Sequence, residues 1–155
     1  MVKIVHTHHL AVNAFLIFDD RFLLLKRVQE PHIWTPPGGR LYANEDPHEG
    51  LQREVREETD LNIRIFQPVT TWFGEFNGRY LLSIDYLCTT QQSMVHLSVE
   101  HCAYRWLSVE DLVQEQNFYF NSAQGFQLRD FSLAWRTYLF NENRYDELRQ
   151  YPAKG

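Results

Sequence analysis

Two β-rich apolar runs, Leu10 to Phe18 and Arg21 to Lys26, flank Asp19-Asp20, and a hairpin is the natural assignment for runs joined by so short a polar turn. A second pair follows at Asn62 to Phe76 and Arg79 to Thr89. Asn77-Gly78 between them is a strong hairpin signal, because both residues tolerate the positive φ of a type I′ turn. Between the pairs the pattern becomes helical over residues 47–59: Asp46 can cap, Pro47 suits the first helical position, and Glu49 stands at capping-box spacing. Tyr104 to Leu107 reads as a short strand. Ser108 is positioned to cap a helix that begins Val109-Glu110-Asp111, and Gln124 to Phe140 reads as a longer terminal helix with Phe126, Leu133 and Tyr138 among its apolar positions. The tail after Asn141 is polar. Strands mixed with helices make the class α/β, and the absence of repeats, linkers and low-complexity tracts argues for a single domain over residues 1–155.

Composition is consistent with this and narrows the function. The 155 residues are 44% hydrophobic and 15% aromatic, enough for a substantial core. Seven of the chain's 20 acids fall between Glu45 and Asp60, against only Arg53 and Arg56. That local excess of five equals the net charge of −5, so the rest of the chain is balanced. No basic stripe remains to suggest stable nucleic-acid binding. Cys88 and Cys102 form no CxxC pair, which fits a reducing cytoplasm, and neither a signal peptide nor a run of roughly 20 apolar residues for a membrane span is expected.

The acidic cluster needs an explanation, because like charges at i, i+3 and i+4 on a helix repel by a few tenths of a kcal/mol per pair, roughly. At about 100° per residue, Glu54, Glu57 and Glu58 share a sector of about 100°, flanked by Leu51 and Val55, which can pack the helix onto a sheet. Three carboxylates bordering a core suit a hard divalent cation, which prefers oxygen ligands and retains waters. Taken alone, such a cluster is more often a solvated acidic helix face than a metal site.

The full spacing is Gly39-x5-Glu45-x7-Arg53-Glu54-Val55-x-Glu57-Glu58-x-Asp60-Leu61. It resembles the Nudix box, Gly-x5-Glu-x7-Arg-Glu-U-x-Glu-Glu-x-Gly-U with U a bulky aliphatic residue, at every defined position but the last glycine, where Asp60 stands. Trp34-Thr35-Pro36-Pro37-Gly38-Gly39 resembles the family's approach to the box, with Pro36 where leucine is more usual. The resemblance extends in outline from about Leu10 to Leu112. It implies the Nudix fold, an α/β/α sandwich with a mixed central β-sheet and a metal-binding helix at 47–59. It also implies cleavage of a phosphoanhydride bond in a nucleoside diphosphate linked to another moiety, such as a nucleoside triphosphate, dinucleoside polyphosphate, ADP-ribose or nucleotide sugar.

By the same resemblance Glu54, Glu57 and Glu58 are metal ligands for Mg²⁺, or Mn²⁺ in its place. The backbone at Gly38 or Gly39 contributes a further oxygen and close approach to substrate, and Arg53 orients the carboxylates, with Glu45 holding that arginine or the loop rather than binding metal directly. The general base is either Glu58 or Glu100, the latter in a loop position where many relatives place a glutamate near the metals. Arg27 is either a phosphate clamp or a surface arginine. The Glu100-His101-x-x-Tyr104-x-Trp106-Leu107 stretch and Trp34-Thr35-Pro36-Pro37 are similar to diadenosine tetraphosphate hydrolases, although Gly38 replaces a lysine expected in the animal enzymes. Trp72, Phe73, Phe76 and Tyr80 are base-stacking candidates or strand packing. His101 reads first as loop packing and second as a substrate contact, and His6, His8 and His9 read as an edge strand or frayed end. The expected partner is a small nucleotide, with oligomeric state left open and a homodimer compatible. The alternative from a different class is a module of this fold that binds a nucleotide without cleaving it.

Overall fold

The computed structural model describes residues 6–151. Strand β1 (His9–Phe18) explains the layering. Successive side chains leave a strand on opposite faces, and on β1 both sets are apolar: Phe15 and Ile17 join one buried cluster, Val12, Ala14 and Leu16 another. Strand β2 (Arg21–Arg27) divides in the same way, Phe22 and Leu24 against Leu23 and Leu25. A sheet that is apolar on both faces must be covered on both. Helix α1 (Pro47–Thr59) covers one with Leu51 and Val55, at roughly 1.5–3 kcal/mol per buried large side chain. The other is covered by α2 (Val109–Gln114) and α4 (Leu128–Asn141) through Leu112, Phe131, Ala134, Trp135 and Leu139, with the single turn α3 (Gln116–Tyr119) between them. The result is the expected α/β/α sandwich.

The sheet is mixed. β1 runs parallel to β6 (Arg79–Thr89) from His9↔Leu81 to Ile17↔Thr89, and β6 pairs antiparallel with the edge strand β5 (Arg64–Phe76). On its other side β1 stays with β2 only at Ile17↔Phe22 and Phe18↔Arg21. There the two strands part, and β4 (Gly38–Arg40) takes the place beside β1 at Ala11↔Arg40 to Asn13↔Gly38. β2 continues with β3 (Trp34–Thr35) on one edge and β7 (His101–Leu107) on the other. This split opens a cavity in the sheet.

Both hairpin turns form as their residues predict, with φ of 49° and 59° at Asp19 and Asp20 and 52° and 78° at Asn77 and Gly78. α1 has the expected bounds, and the Asp46 carboxylate accepts from the His48 and Glu49 N–H groups at 2.9 and 3.1 Å. Other bounds move. β5 starts at Arg64 rather than Asn62, whose carbonyl and side-chain oxygens are taken by Thr90 and Arg56. β7 starts three residues early, at His101, because β2 is long enough to pair with it. The terminal helix starts at Leu128 rather than Gln124: the Gln124 and Gly125 N–H groups turn back onto Ser122, and the helix begins only where Asp130 accepts from the Gln127 N–H. The polar tail carries one more turn, α5 (Tyr145–Leu148), held by Arg144 on Asp20 at 2.7 and 2.8 Å and on Glu147 at 2.6 Å. None of the described helices is long and apolar enough to cross a membrane.

Asp60 ends α1 in the left-handed region at φ 61°, ψ 21°, with its N–H on the Arg56 carbonyl. That conformation costs an L-residue about 1–2 kcal/mol, more than the roughly 0.4–1 kcal/mol of extra unfolded-chain freedom glycine brings. Asp60→Gly therefore raises unfolding stability by about 0.5–1 kcal/mol, read as a higher urea midpoint at unchanged slope.

Candidate active site

Strand β4 lies across α1 and sets the distance between them. The Gly38 N–H donates to Glu58 Oε1 at 2.8 Å. A Cβ on Gly39 would lie 2.5 Å from the Glu54 carboxylate, so that carboxylate rests directly on the glycine backbone. Glu58 is 3% exposed, and burial pushes its pKa well above the usual carboxylate range; burial raises Glu54 as well.

Arg53 organises the outer side of the cluster. Its guanidinium binds Glu45 through two N–H groups at 2.8 and 2.9 Å, Glu54 at 3.0 Å, Glu57 at 3.3 Å and the Arg40 carbonyl at 3.2 Å, and lies 3.7 Å from the Tyr42 ring centre. Glu45 is pulled down to about 2 by this hydrogen bonding. Glu45 holds the arginine, and the arginine holds the carboxylates.

The loop before β7 completes the site for a backbone reason. The last carbonyls of a helix lack partners within it, and here Ser98 and His96 donate their N–H groups to the Glu58 and Thr59 carbonyls at 3.4 and 3.0 Å. This lays the loop along the end of α1 and brings ligand atoms of Glu58, Glu100 and His101 within 4.8 Å of one another. His101 Nδ1 is 3.2 Å from Glu58 Oε2, without an aligned hydrogen bond. Burial and then the nearby Arg27 charge lower the His101 pKa to about 4, leaving the ring neutral at pH 7.

The wheel placed Glu54, Glu57 and Glu58 together; the structure divides them. Glu58 groups with Glu100 and His101, Glu54 lies on Gly39 and lines the same cavity as Glu58, and Glu57 is about half exposed on Arg53, outside the cavity wall. The cavity itself is about 440 Å³ and has Glu54, Glu58 and Glu100 on its wall together with Arg27 and Arg40. Arg27 is half-buried, donates Nε–H to the Pro31 carbonyl at 3.1 Å, and sits 5.1 Å from the Phe76 ring centre. Trp72 and Phe76 line the cavity, whereas Phe73 and Tyr80 stack on each other outside it. His8 packs on Phe73 and His9 meets Arg79, away from the carboxylates.

Sequence reading missed a polar group at the cavity floor. Asn13 and Ser83 line the cavity and both donate to Asp85 Oδ1, at 3.0 and 2.8 Å, while Asp85 Oδ2 is buried without a partner. The signal was present: each interrupts an apolar strand, and Ser83 and Asp85 are two apart on β6, with Asn13 beside Asp85 in register.

A family model for the Nudix domain matches residues 7–128. The chain belongs to the Nudix family. Mouse asymmetrical bis(5′-nucleosyl)-tetraphosphatase is 34% identical over 103 residues, 63% of this chain and 70% of the mouse protein. The Caenorhabditis elegans enzyme of the same name is 32% identical over 117 residues, 72% and 82%. A crystal structure of a C. elegans Ap4A hydrolase binary complex superposes with a TM-score of 0.68 at 27% identity, covering 86% of this chain and 98% of that one. This Nudix protein is thus a pyrophosphohydrolase. Nudix hydrolases use divalent metals, and the donor set fits one: buried and half-buried carboxylates, a glycine backbone without Cβ beside them, and an orphaned imidazole nitrogen.

Burial raises Asp85 from 3.8 to about 6. The folded chain thus holds that proton more tightly than the unfolded one, so stability present below pH 4 is lost as pH rises to about 6, by about 3 kcal/mol. Asp85→Asn removes this component, and the difference between the two proteins' urea-unfolding free energies at pH 4 and pH 7 measures it.

Proposed function

We propose that this hydrolase is Mg²⁺-dependent and cleaves a phosphoanhydride bond in a nucleoside diphosphate linked to another moiety, with dinucleoside polyphosphates the preferred substrates. The observation that carries the reading is one cavity bearing Glu54, Glu58 and Glu100 together with Arg27 and the aromatic rings of Trp72, Phe76 and Phe126. Carboxylates for a cation, a guanidinium for phosphate and rings for a base are the three kinds of group such a substrate requires. Similarity to the tetraphosphatases supports the substrate class.

In this reading Glu54, Glu57, Glu58, Glu100 and the Gly39 carbonyl hold the metal, which when bound neutralises phosphate charge and acidifies a water. Arg53 keeps Glu54 and Glu57 oriented, and Gly38 orients Glu58 through its N–H. Arg27 binds a phosphate oxygen. Between the two candidate bases, Glu100 is favoured. One Glu58 oxygen already accepts from Gly38 and the other faces His101, whereas the Glu100 side chain makes no hydrogen bond among the described residues, so one of its oxygens can face the metal while the other takes a proton from the attacking water. Free Cys88 and Cys102 support a reducing cytoplasm.

The test is turnover of a panel of dinucleoside polyphosphates, nucleoside triphosphates, ADP-ribose and nucleotide sugars with and without Mg²⁺. Hydrolysis of dinucleoside polyphosphates that stops with chelator is expected; tight binding without turnover anywhere returns the binding-module reading. Glu100→Gln lowers kcat by about 10²–10⁴-fold with KM nearly unchanged. Unaltered kcat in that variant moves the base to Glu58.

A further inference from the structure

One group in the cavity has no place in the carboxylate chemistry: the His101 imidazole. Its side chain is 4% exposed, and Nδ1 is buried without a hydrogen-bond partner. Leaving a buried ring nitrogen unpaired is unfavourable, and the backbone goes out of its way to put it there. The β2–β7 register shifts between Lys26 and Arg27, so that Arg27 pairs with His101 itself, and such an irregularity re-aims the side chain it carries. Opposite, the Gly38 N–H fixes Glu58 Oε1, which turns Oε2 toward the ring.

The geometry points to a mixed nitrogen–oxygen metal site in which His101 Nδ1, Glu58 and Glu100 hold one divalent transition ion. Adjacent ligands at about 2.1 Å from an octahedral ion stand roughly 3 Å apart, and His101 Nδ1 is 3.2 Å from Glu58 Oε2. Glu100 brings a third ligand atom within 4.8 Å of both. Nδ1 accepts a metal when the ring proton is on Nε2, and no N–H or O–H donor occupies the Nδ1 lone pair. Donor type then sets metal choice. Carboxylates alone suit Mg²⁺; an added imidazole shifts preference toward Mn²⁺, Fe²⁺, Co²⁺ or Zn²⁺. Glu54 and Glu57, hydrogen-bonded to Arg53, lie outside this group and keep an all-oxygen character. The inference rests on the reading above that Glu58 and Glu100 hold metal, and adds a nitrogen ligand and a metal class to it.

Pulsed electron paramagnetic resonance on the full chain loaded with Mn²⁺ reads the ligand atoms directly. Nitrogen coupling is expected, and it changes to the ¹⁵N pattern when the protein is labelled only at histidine. His101→Gln abolishes the coupling and weakens Co²⁺ binding by about tenfold or more, while Mg²⁺ binding changes by less than about threefold. Bound Mn²⁺ without histidine coupling overturns the nitrogen ligand and leaves the carboxylate reading standing; failure to bind Mn²⁺ or Mg²⁺ overturns both. The wild-type spectrum decides the matter even if the variant does not fold.

Discussion

The contact between Gly38-Gly39 and helix α1 is the constraint on which the site depends. Leu51 and Val55 seat the helix on the sheet, but seating alone leaves its carboxylates pointing along a solvent edge. β4 brings a strand without side chains against that edge, close enough for the Gly38 N–H to bind Glu58 and for the Glu54 carboxylate to lie where a Gly39 side chain would be. Any larger residue at Gly39 pushes Glu54 away. At Gly38 an added Cβ would collide with the Val12 carbonyl, so β4 would leave β1 altogether. Packing on the helix's apolar side and backbone contact on its acidic side thus fix one orientation between them.

Charge follows from that orientation. Carboxylates that are buried to be useful repel one another and lose hydration, and the raised pKa of Glu54 and Glu58 records the cost. Arg53 offsets it on the outer side only. Its guanidinium is stacked on Tyr42 and bound to Glu45, so it is held over Glu54 and Glu57 and does not reach Glu58 among its hydrogen bonds. The inner carboxylate is instead compensated by the Gly38 N–H and by the nearby Arg27 charge. The one guanidinium of the cluster thus lies on its outer side, away from the inner carboxylate.

Much of this was legible before any coordinates. The box motif located α1 to the residue, because cap, proline and carboxylate spacing are local and agree with one another. The Glu45 hold on Arg53 was implied by the resemblance to the box. Asp60, the one departing letter, takes the left-handed helix end. What was not legible depends on distant pairing. β3 and β4 are two and three residues long and carry no periodicity; they exist because β1 and β2 part. The division of Glu57 from Glu58 could not be read from a helical wheel, which places side chains by angle and ignores what each one meets. The approach of His101 to Glu58 gave no signal, since its environment is made by the α1 terminus some forty residues earlier.

The two halves of the cavity are joined through a single residue. Asn13 pairs with Gly38 in register and with Asp85 by its amide, and its Oδ1 would lie 2.5 Å from a Gly38 Cβ. Because an ionised Asp85 can only accept, the Asn13 amide nitrogen must face it and the amide oxygen must face Gly38. The polar floor beneath the aromatic end is thereby tied to the strand that positions Glu58. Substrate choice in this fold falls to loops and strand faces outside the box, yet here one of those faces shares a backbone ladder with the metal-side glycines. A change at Asn13 would therefore disturb the Asp85 carboxylate and the Gly38 backbone together.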